Sequence, residues 1–354
     1  MRASTATAAT PTPRPTAKAT SAEVSTRPAP PDACEKAVGD WCRQFLEVAG
    51  QTTSTPPKIA VAYSAGADST ALLLAAHRQW QGRVEALHVH HGLQAAADGF
   101  EACAQTRCAS LGIELHTARL DATPSSGQSP EEAARIARYG ALAQLAQQAG
   151  VACVLLGQHA DDQVETLMLA LSRGAGLPGL AAMPGSFIRH GMLFGRPFLE
   201  LPGATLRAYV DSKSVAFVTD PTNADERYTR NRIRAALSPA WERCFPGYRP
   251  MLLRSARHAA QAQNLLDDLA RLDLEQVGSP PAIAALQNLS RHRQANAVRY
   301  WLRTSASVAP SAAQLEELLD QVASCTTRGH SIRLKVAGAF VSRVGDRLFF
   351  GPPI

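Results

Sequence analysis

Residues Pro57–Ala76 read PKIAVAYSAGADSTALLLAA. The apolar run Ile59–Tyr63 has the length and β-rich character of a buried strand. It breaks into Ser64-Ala65-Gly66-Ala67-Asp68-Ser69 and then enters an Ala/Leu-rich segment with helical spacing. A strand feeding a small-residue loop at a helix N-terminus presents unpaired backbone N–H groups at the positive end of the helix dipole, which together suit a phosphate. Two hydroxyls and one carboxylate in the loop suit phosphate contacts and a magnesium ligand. Asp68 and Ser69 would equally cap an ordinary βα turn, and the flanking chain decides between the two readings.

Outward from this stretch the pattern alternates. Before it, Ala37, Trp41, Phe45 and Val48 recur at helical spacing. After it come a helix over Ser69–Trp80, a strand over Val84–His91, a helix over Ala95–Leu111 and a strand over Ile113–Ala118. A further helix opens at Ser129-Pro130-Glu131-Glu132, with a Ser cap, Pro in the first turn and acids that favour the dipole. Strand Val151–Gly157 and a helix over Asp161–Ser172 complete the run. This order predicts an α/β fold with a doubly wound, mostly parallel sheet. Ligands of such sheets bind outside the carboxyl ends of the strands. Three polar groups lie at those ends: Ser64–Ser69, the histidines 88, 90 and 91, and Gln158, His159, Asp161 and Asp162.

Past Arg173 the pattern changes to an extended pair within 186–198, a helix over Gly203–Ser214 and the turn former Asp220-Pro221-Thr222-Asn223. Arg227–Arg257 holds eight arginines against the single acid Glu242, interleaved with Tyr228, Trp241, Phe245 and Tyr248. Arginines among aromatics suit phosphate contacts and base stacking, although a solvated basic helix face has the same composition. A long helix over Tyr248–Leu274 ends at Gly278-Ser279-Pro280-Pro281, and two helices and three short strands follow. The expected organisation is a disordered, Pro- and Thr-rich tail over 1–33, a catalytic domain over 34–240, and a helical and α+β substrate-binding domain over 241–354.

The 354-residue chain carries 36 Lys and Arg against 30 Asp and Glu, a net charge of +6, and lysine occurs only at 18, 36, 58, 213 and 335. An Arg-dominated excess suits an anionic partner such as nucleic acid, and it is also what base composition alone can produce. Seven scattered cysteines with no Cys-x-x-Cys pair argue for free thiols in a reducing, cytoplasmic compartment and against a zinc or iron–sulfur framework. No apolar run approaches the 18 residues of a membrane span, so no membrane partner is expected.

Several chemistries are excluded by motif. The chain has no G-x-x-x-x-G-K-[ST], no G-x-G-x-x-G after the first strand, no G-x-S-x-G elbow and no H-E-x-x-H. Asp161 and Glu165 are spaced i, i+4, and Asp162 and Glu165 i, i+3, at a predicted helix N-terminus. Such carboxylates can hold magnesium, receive an ammonium group, or merely compensate the dipole.

Ser64–Ser69 resembles the S-G-G-x-D-S loop of the N-type ATP pyrophosphatases, also called the PP-loop superfamily. Later segments resemble one family within it, the tRNA(Ile)-lysidine synthetases. They are HVHHGLQ (88–94), EEAARIARY (131–139), GQHADDQVETLMLALSRGAGLPGL (157–180), RPFL (196–199), DPTN (220–223) and YTRNRIR (228–234), in family order. The resemblance implies an AMP-forming carbon–nitrogen ligase that uses ATP and magnesium. It would adenylate C2 of the wobble cytidine of a CAU-anticodon tRNA(Ile) and then join free lysine there. By residue, it implies ATP contacts from Ser64, Ala65, Gly66, Ala67, Asp68 and Ser69, and charge stabilisation by Arg135. Asp161, Asp162 and Glu165 would share catalysis and lysine recognition, with metal at Asp68 and Asp161. Arg227, Arg230, Arg232 and Arg234 would bind tRNA, and the family pattern admits a homodimer.

Two positions depart from the pattern. Ala65 stands at the first glycine of the loop, which matters if that residue needs positive φ, and His90 stands where the family usually has Asn. Two alternatives remain at this stage: another PP-loop tRNA-modifying enzyme of the thiolase type, or a non-catalytic RNA-binding relative. The lack of Cys-x-x-Cys argues against the first, and the retained carboxylates argue against the second.

Overall fold

The computed structural model describes residues 33–46, 57–90, 96–120, 130–219, 225–327 and 329–352. The expected tail, apart from residue 33, and the motif residues 91–94 and 220–223 lie outside the described residues.

The first helix, α1 (Ala33–Leu46), buries Cys34, Val38, Trp41 and Cys42, with Ala37 packed against the same core. The chain then alternates through β1 (Ile59–Ala62), α2 (Ala67–Gln79), β2 (Val84–His90), α3 (Ala96–Leu111), β3 (Leu115–Arg119), α4 (Pro130–Gln148), β4 (Cys153–Leu155) and α5 (Ala160–Ser172). A short helix α6 (Leu177–Leu180), a hairpin of β5 (Ser186–Arg189) and β6 (Met192–Gly195), and helix α7 (Gly203–Ser212) follow. The strands form one sheet in the order β3-β2-β1-β4-β6-β5, all parallel except the edge strand β5. This is the doubly wound, mostly parallel sheet that the alternation predicts. One core packs α1, α2, α3 and α7 on one face, and a second sets α4 on the other through Tyr139, Leu142 and Ala146.

The order reverses between β1 and β4, because the chain runs from β1 outward through β2 to β3 and returns to place β4 on the other side. The carboxyl ends of these two strands flank the switch-point crevice where sheets of this class take ligands. The loop Ser64–Gly66 leaves one of them and Gly157–His159 leaves the other.

At the far side of the crevice, β6 meets α1. The indole Nε1 of Trp41 donates to Gly185 O at 2.9 Å, and a Cβ added at Gly195 would fall inside van der Waals reach of the indole ring. Gly195→Ala is therefore expected to cost about 2–3 kcal/mol by overpacking. The readout is a lowered urea midpoint at unchanged m-value. An unchanged midpoint would mean that the indole is free to move aside.

Between the sheet domain and the C-terminal module run α8 (Thr229–Arg232), a π-helical turn (Ile233–Leu237), α9 (Ser238–Cys244) and the 30-residue helix α10 (Tyr248–Val277). Tyr248 of α10 and Ile233 pack on Val164 and Met168 of α5. The other end of α10 joins α11 (Ile283–Gln287), α12 (Arg291–Ala306), α13 (Ala312–Ser324) and the antiparallel sheet of β7 (Arg333–Val336), β8 (Ala339–Val344) and β9 (Arg347–Gly351) in a separate core. The fully buried Asp273 of α10 anchors that end through Arg293 of α12, whose Nε donates to its Oδ1 at 3.1 Å. Among the described residues no helix is long and apolar enough to cross a membrane.

Candidate active site

The loop after β1 is built as a phosphate cradle. Gly66 is the N-cap residue of α2 and makes no side-chain cap bond, so Asp68 and Ser69 do not cap this helix. Ser69 Oγ turns inward, donating to Gly66 O at 3.1 Å and lying 3.0 Å from Ser64 Oγ. This leaves the first-turn amides of α2 open to an anion. Ala65 is fully buried with φ +62°, and Val218 N–H donates to its carbonyl at 2.9 Å.

The left-handed backbone at Ala65 is what a family glycine would supply freely, and an alanine there carries about 1 kcal/mol of strain. Ala65→Gly relieves that strain, but the variant loses a buried methyl and gains unfolded-chain freedom worth about 0.4–1 kcal/mol. The terms oppose each other. The expected change in unfolding free energy is under about 1 kcal/mol, measured by urea titration. A gain well beyond that would show the loop to be more strained than its φ implies.

Across the crevice, Gly157 approaches the start of α2 so closely that a Cβ would sit 3.2 Å from the carbonyl carbon and oxygen of Asp68. His159 caps α5: its Nδ1 accepts from Asp161 N–H at 3.2 Å, and its backbone N–H donates to Asp162 Oδ2 at 3.0 Å. With Nδ1 as acceptor, the ring proton sits on Nε2, which lies 3.6 Å from both Asp68 Oδ2 and Asp162 Oδ2. Burial of the ring opposes a second proton, but the hydrogen bond to Asp68 and the charges of Asp162, Asp68 and Asp161 outweigh it and raise the pKa. His159 thus ties the phosphate loop to the acidic helix, which single-residue inspection of the histidines does not reveal. At the end of β2, His88 Nδ1 lies 2.8 Å from Tyr63 O, and burial, partly offset by that bond, lowers its pKa.

The three carboxylates of α5 have separate partners. Asp161 Oδ2 accepts from Gly203 N–H at 2.8 Å, which caps α7, and its Oδ1 accepts from Arg249 Nε at 2.6 Å, which seats α10. Burial would raise its pKa, but the Gly203 bond and the Arg249 cation prevail and lower it. Asp162 Oδ1 accepts from Arg234 Nη2 at 2.9 Å. Glu165, only 1% exposed, meets the same guanidinium through both oxygens, Nε to Oε1 and Nη2 to Oε2 at 3.1 Å. Burial raises the Glu165 pKa, and the Arg234 pairing offsets this only in part.

Asp68 offers a ligand that suits a magnesium ion. Asp68 Oδ1 is buried and has no hydrogen-bond partner among the described residues, an unpaired anionic oxygen of the kind a hard cation takes. Asp161, the expected second metal ligand, gives one acceptor site on each oxygen to Gly203 and Arg249, and each oxygen keeps a second. Among the described residues, the one group of three ligand atoms close enough for an ion is Glu85, Glu114 and His116, away from the crevice. There Glu85 is already held by Lys58 at 2.7 Å and His116 at 2.6 Å.

The expected tRNA arginines divide. Arg227, Arg230 and Arg232 are exposed; Arg227 forks onto Asp225, with Nη2 to Oδ2 at 2.6 Å, and Arg232 Nη1 donates to Glu226 O at 2.8 Å. Arg234 instead turns into the acids. Arg135 is exposed on α4, and with Arg230 it adds to the burial that lowers the pKa of Arg138. Arg138 sits 5.8 Å from the Tyr139 ring centroid, next to the buried Arg196, which donates to Gln158 Oε1 at 3.0 Å. Arg138 and Arg249 escape the sequence reading although both lie within recognisable segments, because nothing local separates them from their neighbours.

A parallel sheet with a small-residue loop at its switch point, faced by an acidic helix N-terminus, defines a PP-loop domain. The family model for the PP-loop domain matches residues 40–241, and that for the TilS substrate binding domain matches 282–349. The tRNA(Ile)-lysidine synthase of Polaromonas naphthalenivorans (strain CJ2) is 59% identical over 298 residues, covering 84% of this chain and 90% of that protein. That of Burkholderia pseudomallei (strain K96243) is 44% identical over 288 residues, covering 79% of this chain and 58% of the relative. The chain belongs to the tRNA(Ile)-lysidine synthase family.

Proposed function

We propose that this protein is a cytoplasmic ligase that converts the wobble cytidine of a CAU-anticodon tRNA(Ile) to lysidine, with a catalytic unit over 34–240 and a substrate-binding unit over 241–354. The observation that carries the reading is the facing pair across the crevice: an Asp68 oxygen without a partner among the described residues on one side and the buried Glu165 with Asp162 on the other.

In the first half-reaction the C2 oxygen of cytidine attacks the α-phosphorus of ATP, the bond to the β-phosphate oxygen breaks, and pyrophosphate leaves. The amides and hydroxyls of Ser64, Gly66, Ala67 and Ser69 hold the departing phosphates, and Ala65 sets the turn of the loop. Magnesium on Asp68 would neutralise charge on those phosphates. Arg135 stabilises negative charge near the activated base. A pyrimidine oxo group leaves poorly, and its ester with AMP leaves well.

In the second half-reaction the side-chain amine of lysine attacks C2, the C2–O bond breaks and AMP departs. The amine must lose protons, and Glu165, with its raised pKa, is placed to accept one. Asp162 supports it, and Asp161 acts as a positioning residue through α7 and α10. Arg227, Arg230 and Arg232 contact the tRNA backbone. A homodimer is compatible with this reading, and the described residues identify no surface for one.

The test is incorporation of labelled lysine into CAU-anticodon tRNA(Ile) with ATP and magnesium. Folded protein that gives none would sink the reading.

A further inference from the structure

All six carboxylate oxygens of Asp161, Asp162 and Glu165 already accept hydrogen bonds from the protein. Gly203 and Arg249 hold Asp161, His159 and Arg234 hold Asp162, and Arg234 alone holds both oxygens of Glu165. Each oxygen keeps a second acceptor site, but Arg234 bridges Asp162 and Glu165, so an ammonium group that is to take the place between these two acids must displace its guanidinium. Leaving the acids bare is no alternative, because a buried carboxylate without a partner costs several kcal/mol. Exchange of one cation for another leaves the charge balance of the site unchanged.

The two cations differ in how firmly they are held. Arg249 is fastened on three sides, by Asp161, by Glu242, and by the Tyr248 ring at 4.9 Å from its centroid. Among the described residues Arg234 bonds to the two acids alone, and its side chain is 44% exposed. It sits in the π-helical turn Ile233–Leu237, where Ile233 is the one buried residue. A π turn is a rare register, often found at functional sites, and relaxing it to α geometry swings its side chains about the helix axis. Two to four residues upstream, Arg230 and Arg232 are exposed, and a phosphate backbone can compete for the bonds that Arg232 makes to Glu226 O, Arg227 O and Thr229 Oγ1.

We propose that Arg234 is a resident stand-in for the ammonium group of lysine, holding the acidic site shut until tRNA phosphates draw the Arg230–Arg234 segment outward. This rests on the reading above that Asp162 and Glu165 receive lysine. The consequence is an order of binding: tRNA first, lysine second. Arg234 is then a gating residue, and its guanidinium is not a phosphate contact in the free protein.

Calorimetric titration of L-lysine at pH 8 without ATP, with and without CAU-anticodon tRNA(Ile), tests this. In the parent protein, tRNA should tighten lysine binding by about tenfold or more. Arg234→Met should bind lysine without tRNA about tenfold tighter than the parent, and its response to tRNA should vanish. Arg234→Lys keeps the charge but cannot span both acids, so part of the tRNA dependence should return. If the Met variant fails to fold, the reduced tRNA dependence of the Lys variant carries the test. Equal lysine affinity of the parent with and without tRNA overturns the proposal, as does full tRNA dependence in both variants. Glu165→Gln separates the two levels. Unchanged lysine binding to it with tRNA present would refute the site itself, whereas lost binding alongside undiminished coupling in the Arg234 variants refutes the gate alone.

Discussion

Asp68→Asn is expected to release pyrophosphate on the order of 10²–10³-fold more slowly than the parent, with ATP, magnesium and the CAU-anticodon tRNA(Ile) all saturating. The substitution keeps the shape of the side chain and removes one negative charge. In the free protein Oδ1 is buried with no partner among the described residues, and Oδ2 lies 3.6 Å from His159 Nε2, which the neutral amide oxygen can still accept from. Folding should not suffer, since an unpaired buried oxygen loses its desolvation cost when its charge is removed. The loss should therefore appear in rate and in magnesium dependence, with the melting temperature maintained. Parent-like pyrophosphate release by the variant would remove Asp68 from the metal role.

The second large effect separates the two halves of the reaction. Glu165→Gln should retain pyrophosphate release within about threefold while lysine incorporation falls by about 10²–10³, the scale of a lost general base. The sign of the pH dependence follows from the raised pKa. A carboxyl that holds its proton to higher pH loses its base form early on acidification. The lysine-transfer rate of the parent should then decline on a limb lying above the ordinary glutamate value of about 4.3, and the limb should disappear in the variant. Stability carries the opposite linkage. The folded state binds this proton more tightly than the unfolded chain, so Glu165 disfavours folding as pH rises from its unfolded to its folded pKa, and the Gln variant should lack that decline. Equal losses in both half-reactions would mean that Glu165 organises the whole site and does not serve the amine.

Much of the fold was readable because it is written locally. The strands Val84–His90 and Cys153–Leu155 are apolar runs, and the helix before the second follows the sequence signal Ser129-Pro130-Glu131-Glu132. The position of Ala65 in the loop flagged a need for positive φ, and the backbone adopts it. Strand order was not readable, because β4 finds β1 across more than ninety residues and no residue in either strand names its neighbour. The antiparallel edge strand β5 follows from a hairpin whose return strand happens to join β4.

The site shows the same division. Asp68, Asp162 and Glu165 stand out by type and spacing, yet their partners lie far along the chain. Arg234 reaches Glu165 across 69 positions, and Arg249 reaches Asp161 across 88. In a run of eight arginines, composition suggests phosphate for all of them. Only the fold shows that two of the eight, Arg234 and Arg249, face the carboxylates of α5.

Helix α10 is fastened at Arg249 to the catalytic sheet domain and at Asp273 to the C-terminal module. Those anchors stand 24 residues apart, which at about 1.5 Å per residue places them about 36 Å from one another. The helix is therefore a ruler with a phase as well as a length. One residue inserted between the anchors would lengthen it by only about 1.5 Å but turn the module by about 100°, so the spacing can change without loss of aim only in steps close to whole turns.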